Sequence, residues 1–182
     1  MAAPRRLEMA KRAAELLEQG FVVIDFETTG FPSDPTTRIV EVAVMDHRGG
    51  VLLNTLVNPQ RHIPSSAARV HGIRDRDVVN APTFAEVYPM LADLIVNTRA
   101  VAYNYTFERA MLSLVCDQCG LPPPTVDWRC AMRAYQSFRG LRGFKSLSDA
   151  CMAEGITIAD AHRALGDCKM TLALIYMMAA VV

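Results

Sequence analysis

A chain of 182 residues with balanced charge fits one domain of ordinary size. It has 19 basic residues, 19 acidic residues and 51% apolar residues, which excludes a disordered chain and a protein with net attraction for polyanions. Five cysteines and no secretory signal at the start favour reduced thiols in the cytoplasm. No membrane segment is expected, because the longest apolar run, 172–182, is about half of the ~20 residues that a spanning helix needs.

The first part of the chain predicts one helix followed by antiparallel strands. Apolar residues at helical spacing predict an amphipathic helix over 6–19. Three short apolar runs predict strands over 21–26, 39–46 and 51–57. The last two runs are joined through glycines, which is typical of a hairpin. Two helices are then predicted, over 65–71 and 83–96.

The second part of the chain alternates strands and helices. A strand over 100–103 precedes a helix over 105–119, and a further strand is predicted at 125–128. Three helices complete the chain, over residues 130–137, 146–154 and 163–180. Loops are predicted between these helices, at 140–143 and 155–160. The order of elements favours an α/β fold with a mixed sheet and helices packed on it.

Two carboxylates stand two positions apart at the end of the first strand. Asp25 and Glu27 therefore project from the same face. Their desolvation would be unfavourable without a cation, and no Lys or Arg lies nearby in the sequence. A divalent metal ion would balance the two negative charges. A solvated strand end with a loop-capping Asp explains such a pair equally simply, and base rates of exposure favour it for a lone Asp-x-Glu.

Two more distant signals change this balance. Asn104 and Glu108 share a helical face, although a helix cap and a surface Glu would explain them alone. His162 lies five residues before Asp167, or about 500° of helix, so the two cannot share a helical face. We expect His162 on the loop before the last helix or at its first residue. An imidazole changes protonation near neutrality, which suits a general base.

The four acidic residues and the histidine form the set required for two-metal hydrolysis of a phosphodiester. Carboxylate oxygens would hold two Mg²⁺ or Mn²⁺ ions roughly 4 Å apart, and the histidine would take the proton of the attacking water. Hard oxygen ligands favour these ions over Zn²⁺, which prefers nitrogen and sulfur.

In this order, the motifs resemble those of the DEDDh family of 3′–5′ exonucleases, a branch of the ribonuclease H-like fold. The likeness runs from Phe21 to about Met178. It rests on three segments, namely 25–30, 103–108 and 162–167. The resemblance implies a mixed five-stranded sheet, with three antiparallel strands and then parallel ones, and helices on both faces. It also implies a single exonuclease domain over 1–182, with an N-terminal helix at 1–20 and a catalytic core at 21–180.

The resemblance also implies a role for each site residue. Asp25 would bridge both metals, Glu27 and Asp167 would complete one metal site, Glu108 would serve the second, and His162 would be the general base. The activity implied is release of nucleoside 5′-monophosphates from 3′ ends. Candidate substrate-binding residues are Thr28, Thr29, Gly30, His71, Ile73, Asn104 and Phe107.

The second motif departs from the family pattern at two positions. Tyr103 and Glu108 stand where the family usually has a His and an Asp. A glutamate keeps the charge and adds a methylene, so Glu108 would reach its metal by a different path or through water. We therefore expect activity or metal preference to be affected at this position.

A basic segment over 129–145 contains five basic residues, three aromatic residues and no acidic residue. Arg139, Arg142 and Lys145 are candidate contacts to the phosphate backbone of a strand. A solvated basic face beside glycine loops explains the same pattern equally well.

The expected partner is single-stranded or 3′-ended nucleic acid. DNA is favoured. RNA stays an alternative, because the two are distinguished by contacts to the sugar 2′ position, and the sequence does not identify the residues that make them. A polymerase or a second copy of the chain is a further expected partner. Two other functions stay open: a non-catalytic nucleic-acid or polymerase-binding module on the same fold, and a zinc-supported interaction domain suggested by the spacing of Cys116 and Cys119.

Overall fold

The computed structural model describes residues 2–157 and 161–182, and residues 158–160 of the predicted loop at 155–160 lie outside this range. The strands are β1 (Val22–Thr28), β2 (Ile39–Asp46), β3 (Val51–Leu56), β4 (Arg99–Ala102) and β5 (Asp127–Cys130). The helices are α1 (Ala2–Gln19), α2 (Ser65–His71), α3 (Asp75–Val78), α4 (Phe84–Ile95), α5 (Tyr105–Gln118), α6 (Ala131–Arg139), α7 (Leu147–Ala153) and α8 (Ala164–Ala179).

The five strands form one mixed sheet in the order β3-β2-β1-β4-β5. Strand β2 pairs antiparallel with both β1 and β3, whereas β4 pairs parallel with both β1 and β5. The predicted mixed sheet, with an antiparallel set followed by parallel strands, is therefore confirmed. The parallel arrangement places the carboxyl ends of β1 and β4 at the same edge of the sheet.

Alternate residues of β1 enter two separate cores on opposite faces of the sheet. Val23 packs with residues of α1, α6, α7 and α8. Its neighbours Val22 and Ile24 pack on the other face with residues of α4 and α5. The prediction of helices on both faces is confirmed, because each face of the sheet is covered by apolar helix residues.

Several predicted boundaries differ from the structure by a few residues, and one helix was not predicted. Strand β1 continues beyond residue 26 to Thr28, so Glu27 lies within the strand. Strand β5 lies two residues later than predicted, because its pairing with β4 aligns Asp127 with Arg99. The single-turn helix α3 was not predicted, since one turn carries no apolar periodicity. It is fixed by two hydrogen bonds, from the backbone N–H of Arg74 to Oδ2 of Asp77 and from the backbone N–H of Asp77 to the carbonyl oxygen of Arg74.

The loop before α7 is fastened to the end of β4. The hydroxyl of Tyr103 donates to the carbonyl oxygens of Lys145 at 2.8 Å and Ser146 at 3.0 Å. Tyr103 is buried and directly follows β4. The predicted basic segment therefore meets the sheet at its carboxyl edge. Among the helices of the described residues, none combines the length and apolarity required to cross a bilayer.

Candidate metal centre and active site

Three carboxylates meet at the carboxyl end of β1. Asp25, Glu27 and Asp167 each offer an oxygen, and these oxygens all lie within 4.8 Å of one another. Asp25 and Glu27 lie on the same face of β1 as Val23, which is the face covered by α8, and Asp167 lies in the first turn of α8. The chain thus brings together residues separated by about 140 positions in the sequence.

The electrostatics of this cluster oppose ionisation in the absence of a cation. Burial, and then the charges of Glu108 and Asp167, raise the pKa of Asp25 well above its usual range. Burial and the charge of Asp167 raise the pKa of Glu27 to about 8, although Arg163 acts in the opposite direction. Burial also raises the pKa of Asp167. Such a cluster is stabilised when a divalent cation replaces the protons.

Glu108 lies beside this group but not among the three mutually close carboxylates. It is buried, and the burial raises its pKa to about 8. Its Oε2 atom is buried and has no hydrogen-bond partner within the described residues. A buried, unsatisfied carboxylate oxygen is costly unless it faces a ligand, so this atom suits a second cation or its water shell.

His162 lies on the loop immediately before α8, as predicted. Its side chain is exposed, and its backbone N–H donates to Oδ1 of Asp167 at 3.1 Å. Its φ of +62° lies in the left-handed region that side chains other than glycine rarely adopt. Backbone strain of this kind persists where neighbouring contacts enforce it, and it is common at functional sites.

The loop that follows β1 is fixed by its own hydrogen bonds. Thr28 Oγ1 donates to the carbonyl of Gly30 at 2.7 Å, and Thr29 Oγ1 accepts from the backbone N–H of Arg38 at 2.9 Å. A Cβ at Gly30 would approach Oγ1 of Thr37 to 3.1 Å, so a glycine suits this position. These bonds hold the loop beside the carboxylates, and its contact with a nucleotide stays a prediction.

His71 and Ile73 are buried and bonded within the chain. Nδ1 of His71 accepts from the backbone N–H of Ile73 at 3.0 Å, and Nε2 lies 3.2 Å from the carbonyl oxygen of Thr28. Since Nδ1 accepts, the proton resides on Nε2, which donates to Thr28. Burial lowers the pKa of His71, which favours this neutral form. Both residues thus support the loop after β1, and their predicted contact with substrate is not tested by these bonds.

Asn104 and Phe107 lie at the start of α5. Asn104 Oδ1 accepts from the hydroxyl of Thr106 at 2.7 Å. The ring of Phe107 meets that of Phe31 edge to face, with centroids 6.5 Å apart. Phe31 is 73% exposed and was not identified from the sequence. The available signal was an aromatic residue directly after Gly30, in a loop where burial is not expected.

The three residues predicted to contact the phosphate backbone of a nucleic acid have different surroundings. Arg139 forms an ion pair with Glu154, in which its Nε lies 2.5 Å from Oε1. Arg142 is exposed and Lys145 is half-buried, on the loop that Tyr103 fastens to β4. Arg142 and Lys145 are therefore better placed than Arg139 to meet a phosphate, because the charge of Arg139 is balanced within the chain.

One buried acidic residue received no role from the sequence. Glu41 lies in β2 opposite Glu27, is 3% exposed, and accepts hydrogen bonds from Arg163 and from the backbone N–H of Ala164. The signal was a carboxylate in the middle of an apolar strand, which requires a partner when buried.

The proposed zinc pair finds no support in the geometry. Cys116 is buried and Cys119 is exposed. Within residues 2–157 and 161–182, the group of side chains close enough to hold a metal consists of Asp25, Glu27 and Asp167. Oxygen ligands of this kind suit Mg²⁺ or Mn²⁺ better than Zn²⁺.

Comparisons with known proteins point to the same chemistry. The family model RNase_T, described as an exonuclease, matches residues 22–175. The uncharacterized exonuclease CP81 of Escherichia phage 186 is 36% identical over 180 residues, with 92% of each protein covered. The DNA polymerase III subunit epsilon of Treponema pallidum (strain Nichols) is 30% identical over 166 residues, which cover 88% of this chain and 76% of that protein. A structure of Exonuclease X in complex with 5′ overhanging duplex DNA is similar with a TM-score of 0.65 and 27% identity, covering 88% of this chain and 91% of the other.

Proposed function

Because this chain belongs to the RNase_T exonuclease family and is a DEDDh 3′–5′ exonuclease of the ribonuclease H-like superfamily, we propose that its four acidic site residues hold two Mg²⁺ or Mn²⁺ ions. The observation that carries this proposal is the meeting of oxygens from Asp25, Glu27 and Asp167 within 4.8 Å. Glu108, with its unpartnered Oε2, would serve the second ion together with Asp25.

These side chains suit hard divalent cations. All four are carboxylates whose pKa values are raised by burial and by neighbouring negative charges, and Glu108 has an unsatisfied oxygen. When bound, such ions stabilise the charge that develops on the attacking and leaving oxygens of a phosphodiester. The rigid strand β1 and the first turn of α8 keep the ligand oxygens in place before binding.

The chain supplies the base and the support for the substrate. His162 is exposed on the loop before α8, where its imidazole is able to accept the proton of an incoming water. Its backbone bond to Asp167 ties the base to a metal ligand. We assign binding of the 3′-terminal nucleotide to the loop after β1, with the exposed ring of Phe31 and the half-buried ring of Phe107 beside it.

We propose single-stranded or 3′-ended DNA as the substrate and RNA as the alternative. Exonuclease X is described in complex with 5′ overhanging duplex DNA, which supports a DNA substrate for this chain. The relative from Treponema pallidum is a DNA polymerase III subunit, which supports a polymerase as a partner. A second copy of the chain is the competing partner, and size-exclusion chromatography with light scattering would detect it.

The test is incubation of 5′-labelled single-stranded DNA, duplex DNA and RNA with the protein and Mn²⁺, Mg²⁺ or EDTA. We expect a ladder that shortens from the 3′ end with either metal and intact substrate in EDTA. The relative rates on the three substrates would decide between DNA and RNA. A binding module without catalytic activity would retain labelled strands and leave them intact with every metal.

The metal-free protein is expected to lose stability as pH rises from about 5 to about 8. The pKa values of Glu27 and Glu108 are raised from 4.5 to about 8, so in this window the folded protein keeps protons that the unfolded chain has released. Stability from these groups is therefore fully present below 4.5 and is lost as pH rises through about 8. Added Mn²⁺ should abolish the decline, because it replaces the protons.

Thermal unfolding in EDTA and in Mn²⁺, from about pH 5 to about pH 9, would measure this effect. Carboxylates with lowered pKa values, such as Asp46 and Asp75, act in the opposite sense and only at lower pH, as their hydrogen bonds are lost on protonation. Equal pH dependence with and without Mn²⁺ would count against metal binding at the cluster.

Reversal of charge at Arg142 and Lys145 is expected to weaken binding of single-stranded DNA. Each lost phosphate contact should reduce the slope of log K against log salt by about 0.7. Binding in EDTA, measured by fluorescence anisotropy over a range of salt concentrations, isolates this effect from cleavage. The matched control reverses Lys11 and Arg48, which are exposed on α1 and on the β2–β3 turn. An equal change in slope for both double variants would show that the loop has no specific role.

A further inference from the structure

Glu41 makes a two-pronged contact with the segment that begins α8. Its Oε2 accepts from Nε of Arg163 at 3.0 Å and from the backbone N–H of Ala164 at 2.9 Å, and its Oε1 lies 2.5 Å from Nη2 of Arg163. The carboxylate is 3% exposed. Charge-assisted bonds of this type are short, strong and directional, so they fix the position of the helix start relative to β2.

The helix start lacks a cap of its own. Arg163 is the N-cap residue of α8 and its side chain accepts no capping hydrogen bond. The first amides of a helix need acceptors, and a negative charge there also interacts favourably with the helix dipole. Glu41 supplies both functions from another element of the fold, since it binds the amide of Ala164 at the first turn of α8.

The same helix start carries two residues of the proposed reaction. His162 immediately precedes Arg163, and Asp167 lies in the first turn of α8 and accepts from the N–H of His162. The left-handed backbone of His162 requires contacts that enforce it. Glu41 holds the next two residues, so a displacement of its carboxylate would move both the base and a metal ligand.

We propose that Glu41 is a positioning residue that sets His162 and Asp167 against the carboxylates of β1. This inference rests on the proposed function. Glu41 lies on β2 opposite Glu27 of β1. It therefore connects the strands beside Asp25 and Glu27 to helix α8, which carries Asp167. Its role is to fix the distance between the base and the metal ligands.

A negative charge at Glu41 is unfavourable beside the other carboxylates of the site, which supports a role beyond packing. Glu41 lies opposite Glu27 in the sheet, so its negative charge adds to the repulsion among the carboxylates of the site. A neutral side chain would avoid this repulsion. A buried ion pair is also weak evidence for stability, because desolvation offsets much of the attraction.

The test compares Glu41→Gln with the wild-type protein by three measurements. The first is kinetics on a 5′-labelled oligonucleotide at saturating Mn²⁺. The variant should have a kcat that is lowered about 10- to 100-fold and a KM that changes by less than about threefold. Amide hydrogen exchange of the metal-free protein should be faster at residues 162–167. Thermal unfolding should confirm that the variant is folded. Arg163→Lys, which keeps the charge and loses the fork of donors, should show the same pattern more weakly and replaces the first variant if that one is unfolded.

Glu86→Gln is the matched control, because Glu86 is a carboxylate that caps α4 through the backbone N–H and hydroxyl of Thr83. It should speed exchange at the start of α4 and leave kcat unchanged. A wild-type kcat in a folded Glu41→Gln protein would overturn the inference. Unchanged exchange at 162–167 would overturn it as well, because it would show that Glu41 does not hold this segment in place. A wild-type protein without nuclease activity would instead refute the proposed function.

Discussion

Replacement of Asp25 by Asn is expected to abolish shortening of 3′ ends while raising the stability of the metal-free protein. Asp25 is the carboxylate on which the charges of Glu108, Asp167 and Glu27 all act. An amide cannot supply the charge that holds a cation, and loss of several kcal/mol of transition-state stabilisation corresponds to about 10³-fold or more in rate. The same substitution removes the desolvated charge that opposes folding, so activity and stability should change in opposite directions.

Rates with saturating Mn²⁺ and thermal unfolding in EDTA at about pH 8 would measure the two effects, since the stability gain is expected near the raised pKa values. Asp46→Asn provides the control. Asp46 pairs with Val22 at the opposite end of β1, and its pKa is lowered by hydrogen bonds from the amides of Gly50 and Arg48. That variant should keep full activity and lose stability. A stable, active Asp25→Asn protein would exclude this carboxylate from the metal centre.

Much of the active site could be predicted because its residues lie at the ends of predicted elements. Two carboxylates on one face of a strand, and a histidine that cannot share a helical face with Asp167, follow from the periods of strands and helices. The structure places Asp25, Glu27 and Asp167 together and His162 on the loop before α8, as expected. Periodicity does not determine which strands pair in the sheet. The family resemblance predicted that arrangement, with three antiparallel strands followed by parallel ones.

The parts that could not be predicted depend on contacts between distant segments. The bond between Glu41 and Arg163 spans 122 positions in the sequence, and neither residue carries a pattern that identifies the other. The pairing of Arg139 with Glu154 also changes the meaning of the basic segment, because a charge counted from the sequence is neutralised in the fold. The predicted bounds of strand β5 were wrong for a similar reason, since its pairing with β4, and not the local sequence pattern, decides where the strand begins.

The second large effect is expected at Glu108, which stands where the family usually has an aspartate. Glu108→Gln should lower kcat about 100-fold and leave the protein at least as stable as the wild type. The reason is that Glu108 is buried with a pKa raised to about 8 and an unpartnered Oε2, so it contributes charge to the site and little to folding. Kinetics in Mn²⁺ and in Mg²⁺, together with thermal unfolding in EDTA, would show whether turnover falls without a loss of stability.

Glu108→Asp separates the charge of this residue from its length. If the added methylene serves only to reach the same cation, the aspartate should retain most of the activity in Mn²⁺ and lose more in Mg²⁺, which demands stricter octahedral geometry. Asp117→Asn is the matched control, because it removes a carboxylate from the exposed face of α5. It should leave both rates unchanged. Near-full turnover in Glu108→Gln would remove Glu108 from the site and leave Asp25, Glu27 and Asp167 to hold a single ion.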